Sequence, residues 1–139
     1  MERQELIRRA FEAQKKAYAP YSHFQVGAAL LCMDGEIFEG CNIENAAYGA
    51  TNCAERTAFF KAVSEGKREF KSIAIVGKPE SAEEFEYCAP CGICRQVMAE
   101  FCDTQNFEII LPRSENDYRV YKLEQLLPLS FTAENLENK

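Results

Sequence analysis

Two short stretches, Cys53-Ala54-Glu55-Arg56 and Pro90-Cys91-Gly92-Ile93-Cys94-Arg95-Gln96, offer three thiols, one carboxylate and two guanidiniums. A C-x-x-C pair in the first turn of a helix puts both sulfurs on one face, where one metal ion can take them. Pro90 suits a helix start because its missing N–H costs nothing there. Thr51-Asn52 offers an N-cap ahead of Cys53. Each cysteine then sees the positive end of a helix dipole, which favours the thiolate that metals bind. Three sulfurs are the protein ligands of a catalytic zinc site, whose fourth position is left to water; a structural site would take four.

Glu55 stands two residues after Cys53, close to the metal and poorly placed to ligate beside it. A carboxylate there can take a proton from a zinc-activated water and pass it to a substrate. Three thiolates make the centre net negative, so a cation should offset them. Arg56 and Arg95 follow Cys53 and Cys91 by three and four residues, spacings that share a helix face. Arg56 is expected to hydrogen-bond thiolate sulfur. A lone C-x-x-C serves redox chemistry or structural zinc as readily, and a structural site would recruit Cys88 or His23. The C-x-E pattern beside P-C-x-x-C disfavours both alternatives.

Helices and a sheet must hold these groups. Residues 2–17 read as a helix with Leu6, Ala10, Ala13 and Ala17 near one face, broken by Tyr18-Ala19-Pro20-Tyr21-Ser22. Residues 25–32 and 37–42 read as an antiparallel hairpin across the Asp34-Gly35 turn. Residues 53–64 form the first cysteine-bearing helix, stopped by Gly66, and residues 72–77 a short central strand. An acidic loop, 78–86, leads to the second cysteine-bearing helix, 91–101. Strands 108–111 and 118–122 have too short a linker for a parallel crossover and pair antiparallel. Residues 123–127 are a last helical turn before Pro128, and the end of the polar tail is expected to be mobile. The class is α/β: one domain over residues 1–139, three-layer α/β/α, around a mixed sheet of about five strands.

The 139 residues can bury a full core. No apolar run approaches membrane-spanning length, and the charged start lacks a signal-peptide core, so a cytoplasmic location is the expectation. Seven cysteines, an odd number, then point to free thiols and metal ligands rather than disulfides. A net charge of −6 argues against a nucleic-acid footprint and suits a small neutral substrate.

Two further groups equip a substrate pocket. Strand alternation sends Asn42 and Glu44 to one side, an amide and a carboxylate fit for a pair of sugar hydroxyls. Phe24, at the start of a strand, is either core or a face for a flat ring.

Zinc deaminases combine a three-cysteine site with a glutamate acid/base, and the chain resembles the small homotetrameric zinc-dependent cytidine deaminases over nearly its whole length. The resemblance rests on Tyr21-Ser22-His23-Phe24-Gln25-Val26-Gly27-Ala28-Ala29 and Gly40-Cys41-Asn42-Ile43-Glu44-Asn45-Ala46-Ala47-Tyr48. It continues through both cysteine motifs and Glu124-Gln125-Leu126-Leu127-Pro128. It implies hydrolytic deamination of cytidine and 2′-deoxycytidine in pyrimidine salvage, with Zn²⁺ on Cys53, Cys91 and Cys94 and Glu55 as proton shuttle. It further implies ribose contacts from Asn42 and Glu44, base contacts from Phe24 and the Ala54 N–H, and thiolate neutralisation by Arg56. Ala46, Tyr48 and Phe131 would complete a neighbouring subunit's site in a homotetramer, with no nucleic-acid or membrane partner. A deaminase for a cytosine-containing antibiotic shares the metal motifs, but Asn42-Ile43-Glu44-Asn45-Ala46 fits a nucleoside sugar.

Two residues depart from the family pattern. Leu129 stands where the family has a small residue, and Cys88 is an extra thiol near the metal helix, expected to be a bystander. Cys32, Cys41 and Cys102 read as buried small apolar residues.

Overall fold

The computed structural model describes residues 2–137. The elements run α1 (Glu2–Gln14), β1 (Phe24–Cys32), β2 (Ile37–Cys41), α2 (Ala54–Ser64), β3 (Phe70–Pro79) and α3 (Gly92–Phe101). They continue with β4 (Glu108–Pro112), β5 (Tyr118–Lys122), α4 (Leu123–Leu126) and α5 (Ala133–Glu137). A 3₁₀ turn, Tyr48–Ala50, lies between β2 and α2.

The five strands form one sheet in the order β2-β1-β3-β4-β5. β1 pairs antiparallel with both β2 and β3, β3 runs parallel to β4, and β4 pairs antiparallel with β5. Alternation along the strands sorts the core into two halves. Ala29, Leu31, Ala74, Val76 and Ile110 pack with Leu6, Ile7 and Ala10 of α1. Leu30, Ile73, Ile75, Ile109 and Leu111 pack with Ala54, Ala58 and Phe59 of α2 and Cys94, Met98 and Ala99 of α3. The sheet is thus the middle of three layers, and both cysteine-bearing helices lie on the same face.

Two close approaches seat the helices. A Cβ on Gly27 would lie 2.3 Å from Ala10 O of α1, and one on Gly40 would lie 2.5 Å from Ala54 O of α2. Glycine lets each helix backbone rest directly on its strand. Phe59 then locks α2 into the core, its ring 5.2 Å from Phe70, 6.3 Å from Phe101 of α3 and 6.0 Å from Phe107. Full burial of such a ring is worth about 1.5–3 kcal/mol.

Several boundaries differ from the sequence reading. α1 stops at Gln14 rather than near Ala17, because residues 15–17 tighten into i−3 bonds and Tyr18 N donates to Asn42 O at 3.0 Å. β3 is longer than 72–77, since β1 pairs with it from Phe70 to Pro79. The tail forms α5, begun by the Thr132 N–H bond to Asn135 Oδ1 at 2.8 Å. The last two residues, expected to be mobile, lie outside the described residues. All seven cysteines are free; Cys32 is buried, whereas Cys41 and Cys102 are only half-buried.

Candidate metal centre

Both metal-bearing helices begin on a cysteine. Cys53 is the N-cap of α2 and Cys91 that of α3, each with extended backbone and no side-chain cap. Thr51-Asn52 therefore does not cap α2 as the spacing suggested. Asn52 is drawn into a two-bond bridge with Ile43, and its amide donates to Thr57 Oγ1 at 3.1 Å. The first N–H groups of both helices are left without a side-chain acceptor, so their dipoles favour negative charge at the cysteines.

The sulfurs converge. Cys53 Sγ lies 3.8 Å from Cys91 Sγ, and Cys91 Sγ lies 3.4 Å from Cys94 Sγ. All three fall within 4.8 Å of one another. Zinc at about 2.3 Å from each of three tetrahedral thiolates requires sulfurs roughly 3.8 Å apart, so the donor set fits the ion. Cys94 is buried, Cys53 half-buried and Cys91 exposed. Hydrogen bonding from the Cys94 thiol, reinforced by Arg56, lowers the Cys53 pKa to about 5, while that same bond to a thiolate pushes Cys94 up. Without metal, Cys53 rather than Cys94 is the charged member of that hydrogen-bonded pair.

Glu55, in the first turn of α2, is only 5 % exposed. Burial, reinforced by the Cys53 charge, raises its pKa to about 7. Arg56 Nη2 donates to Cys53 Sγ at 3.2 Å, and its Nε is buried with no partner among the described residues. Arg95 turns elsewhere: Nε donates to Pro90 O and Nη1 to Leu126 O, both at 2.8 Å. The open carbonyl at the end of α4 outcompetes the thiolates for that guanidinium.

The remaining sequence candidates are distributed around this centre. Ala54 is fully buried beside Glu55. Phe24 and Cys88 Sγ both crowd Gly77, at 3.0 and 2.9 Å from where its Cβ would be. Burial, and after it the charges of Glu55 and Cys53, raises the Cys88 pKa to about 11, and this thiol is not a member of the sulfur triad. A cleft of about 800 Å³ opens there, lined by Phe24, Gly77, Pro79, Tyr87 and Cys88 among others. Asn42 is tied to β1, accepting from Val26 N at 3.0 Å and donating to Phe24 O at 2.8 Å. Glu44 accepts from Tyr21 N, Ser22 N and the Ser22 hydroxyl. Ala46, Tyr48 and Phe131 are exposed. Gln96 of α3 holds the tail by donating to Phe131 O at 2.8 Å.

Ser22 and Gly77 were not singled out by sequence reasoning. Ser22 has a legible signal, a hydroxyl in a turn two residues before Phe24, whose N–H it accepts at 3.0 Å. Gly77 has none beyond being a glycine at the end of an apolar run.

Three sulfurs joined by no fourth His, Cys, Asp or Glu among the described residues, with a buried carboxylate raised to about 7 on the same helix start, equip a metal-assisted hydrolase rather than a closed structural site. The family model "cytidine and deoxycytidylate deaminase zinc-binding region" matches residues 1–108. The chain belongs to that family. It is 50% identical over 138 residues to a cytidine deaminase of Halalkalibacterium halodurans, covering 99% of this chain and all of the relative. It is 49% identical over 136 residues to one from Sporosarcina psychrophila, covering 98% and 96% of the two chains. The crystal structure of cytidine deaminase from Burkholderia pseudomallei superimposes with a TM-score of 0.82 at 50% identity, covering 91% of this chain and 97% of that one.

Proposed function

We propose that this chain hydrolyses the C4 amino group of cytidine and 2′-deoxycytidine, releasing uridine or 2′-deoxyuridine and ammonia in pyrimidine salvage. The observation that carries the reading is a carboxylate, Glu55, buried beside three converging sulfurs. Its cytidine deaminase relatives match along nearly their full length.

Cys53, Cys91 and Cys94 would hold Zn²⁺, which would supply the Lewis acidity that makes a water nucleophilic at neutral pH. Glu55 removes a proton from the attacking water and delivers it to N3 of the base. Glu55 then takes the proton of the new hydroxyl on C4 and gives it to the amine, so that the C4–N bond breaks, ammonia leaves and C4 becomes a carbonyl. In the metal-free protein, burial, followed by the Cys53 charge, raises this carboxyl to about 7, and a carboxyl that can both take and give a proton is what the two transfers require. Arg56 offsets the thiolate charge. Phe24 packs on the base, the Ala54 N–H contacts it, and Asn42 and Glu44 receive the ribose. The hydrogen bonds that Asn42 and Glu44 already make set their side chains before the sugar arrives.

The same proposal makes residues 1–139 a single domain acting in the cytoplasm, assembled as a homotetramer. Tyr48, Ile93 and Phe131 are 77%, 63% and 58% exposed, an apolar display that favours burial against other copies. Ala46, Tyr48 and Phe131 would then close a neighbour's site. Among the described residues, no helix is long and apolar enough to cross a membrane.

The test is an ultraviolet assay of cytidine loss, run on protein as purified, after zinc removal and after zinc is restored. Activity that disappears and returns with the metal supports the reading. A metallated protein that leaves cytidine and deoxycytidine intact overturns it.

A further inference from the structure

Cys91 is the exposed member of the sulfur triad and the last residue of the long β3–α3 connection, residues 80–91. That connection is tied down at a few points. Glu86 bridges to Gly77 at the end of β3, and Pro90 O accepts from Arg95. Between them sits Tyr87, whose hydroxyl donates to Asp117 Oδ1 at 2.7 Å. Its ring faces two guanidiniums, with Arg113 Cζ at 4.7 Å and Arg119 Cζ at 4.3 Å from the ring centre. Arg113 and Asp117 are the two ends of the β4–β5 turn. They are joined by Arg113 N to Asp117 O at 2.8 Å and by Arg113 Nη2 to Asp117 Oδ2, also at 2.8 Å. The turn is therefore a braced socket, and Tyr87 is the plug. The next residue, Cys88, lies against Gly77 beside Phe24, and Cys91 is four residues beyond Tyr87.

We propose that Tyr87, seated in the β4–β5 turn by Asp117, Arg113 and Arg119, is a positioning residue that holds Cys91 in register with Cys53 and Glu55. This rests on the reading of Cys91 as a zinc ligand. The turn contributes no group to the reaction; it fixes where one sulfur stands relative to two helix starts. A ring held by two cations and one carboxylate resists displacement in more directions than a single hydrogen bond could.

The experiment measures zinc release from the holoprotein into excess chromophoric chelator, with the thiolate-to-cobalt bands of the cobalt-substituted protein as a second readout. Tyr87→Ala is expected to release zinc about ten- to a hundredfold faster and to shift those bands, the usual scale for loss of a group that orients a ligand. Tyr87→Phe keeps the ring and loses one hydrogen bond, so its release rate should rise only about threefold. Asp117→Ala removes the acceptor of that bond and should behave like Tyr87→Phe. Wild-type release rates and bands in a folded Tyr87→Ala protein overturn the proposal. If Tyr87→Ala does not fold, wild-type behaviour of both Tyr87→Phe and Asp117→Ala overturns it equally. A wild-type protein that takes up no zinc would overturn the metal reading as well, whereas normal uptake with unperturbed variants removes only the role of Tyr87.

Discussion

Arg56 Nη2 stands 3.2 Å from Cys53 Sγ, one helical turn along α2. Cys53 is thus held at a low pKa, first by the bond from the Cys94 thiol and then by this guanidinium. Arg56→Gln keeps a polar side chain and removes the charge. In the metal-free protein, the thiolate absorbance of Cys53 should then titrate at least about one pH unit higher than the wild-type value of about 5. Ultraviolet titration at the thiolate band measures this, and an unmoved midpoint would show that Cys94 alone sets the thiolate.

Glu55→Ala should retain zinc by metal analysis and lose about 10²- to 10⁴-fold in turnover, the range for removing a positioned acid/base. A variant with near-normal turnover would take Glu55 out of the mechanism.

The same carboxyl makes the metal-free protein sensitive to pH. Glu55 is raised from 4.5 to about 7, so between those values the native state keeps a proton that the unfolded chain has released. Its contribution to stability is whole below about pH 4.5 and is lost as pH rises through about 7. Glu55→Gln removes that dependence. Metal-free Glu55→Gln should exceed wild type by about 3 kcal/mol at pH 8 and match it near pH 4, measured by urea unfolding across the range. Equal stabilities at both ends would mean that Glu55 ionises normally.

Gly40→Ala is expected to damage the site from beneath. The added methyl group would meet Ala54 O at 2.5 Å and Ala58 N at 2.6 Å, both backbone atoms of the helix that begins at Cys53. α2 must lift off β2, at a cost of about 3 kcal/mol, and carry Cys53 and Glu55 with it. Thermal unfolding and zinc affinity should both fall; a variant that is merely less stable, with wild-type zinc affinity, would show that α2 shifts as a rigid unit along with α3.

Leu129→Gly should raise stability. Leu129 has φ +54° and is fully exposed, so it bears left-handed strain with no packing in return. Relief of about 1–2 kcal/mol, less the extra freedom glycine gains in the unfolded chain, leaves roughly 0.5–1 kcal/mol. Denaturant midpoints check the sign, and a lower midpoint would mean that Leu129 packs against something in solution.

The candidate site was legible where its geometry is local. Cys91 and Cys94 share a helical turn, Glu55 and Arg56 follow Cys53 on another, and such offsets place side chains whatever the rest of the chain does. The apolar runs gave all five strands, and the short linker after Pro112 correctly paired β4 with β5. What misled was competition between partners. Thr51-Asn52 looks like a cap until Ile43 claims Asn52. Arg95 looks like a partner for thiolate until the end of α4 offers it a carbonyl.

By itself the sequence determined the chemistry on offer: three soft donors, one carboxylate and a strand pattern for a mixed sheet. That Cys53 and Cys91, 38 residues apart, meet at 3.8 Å was decided only by tertiary structure. α2 had to rest on β2 through Gly40, and α3 had to return over the same face of the sheet. Side-chain spacing within one turn follows from helix geometry alone, whereas the distance between two helix starts follows from what packs beneath and beside them.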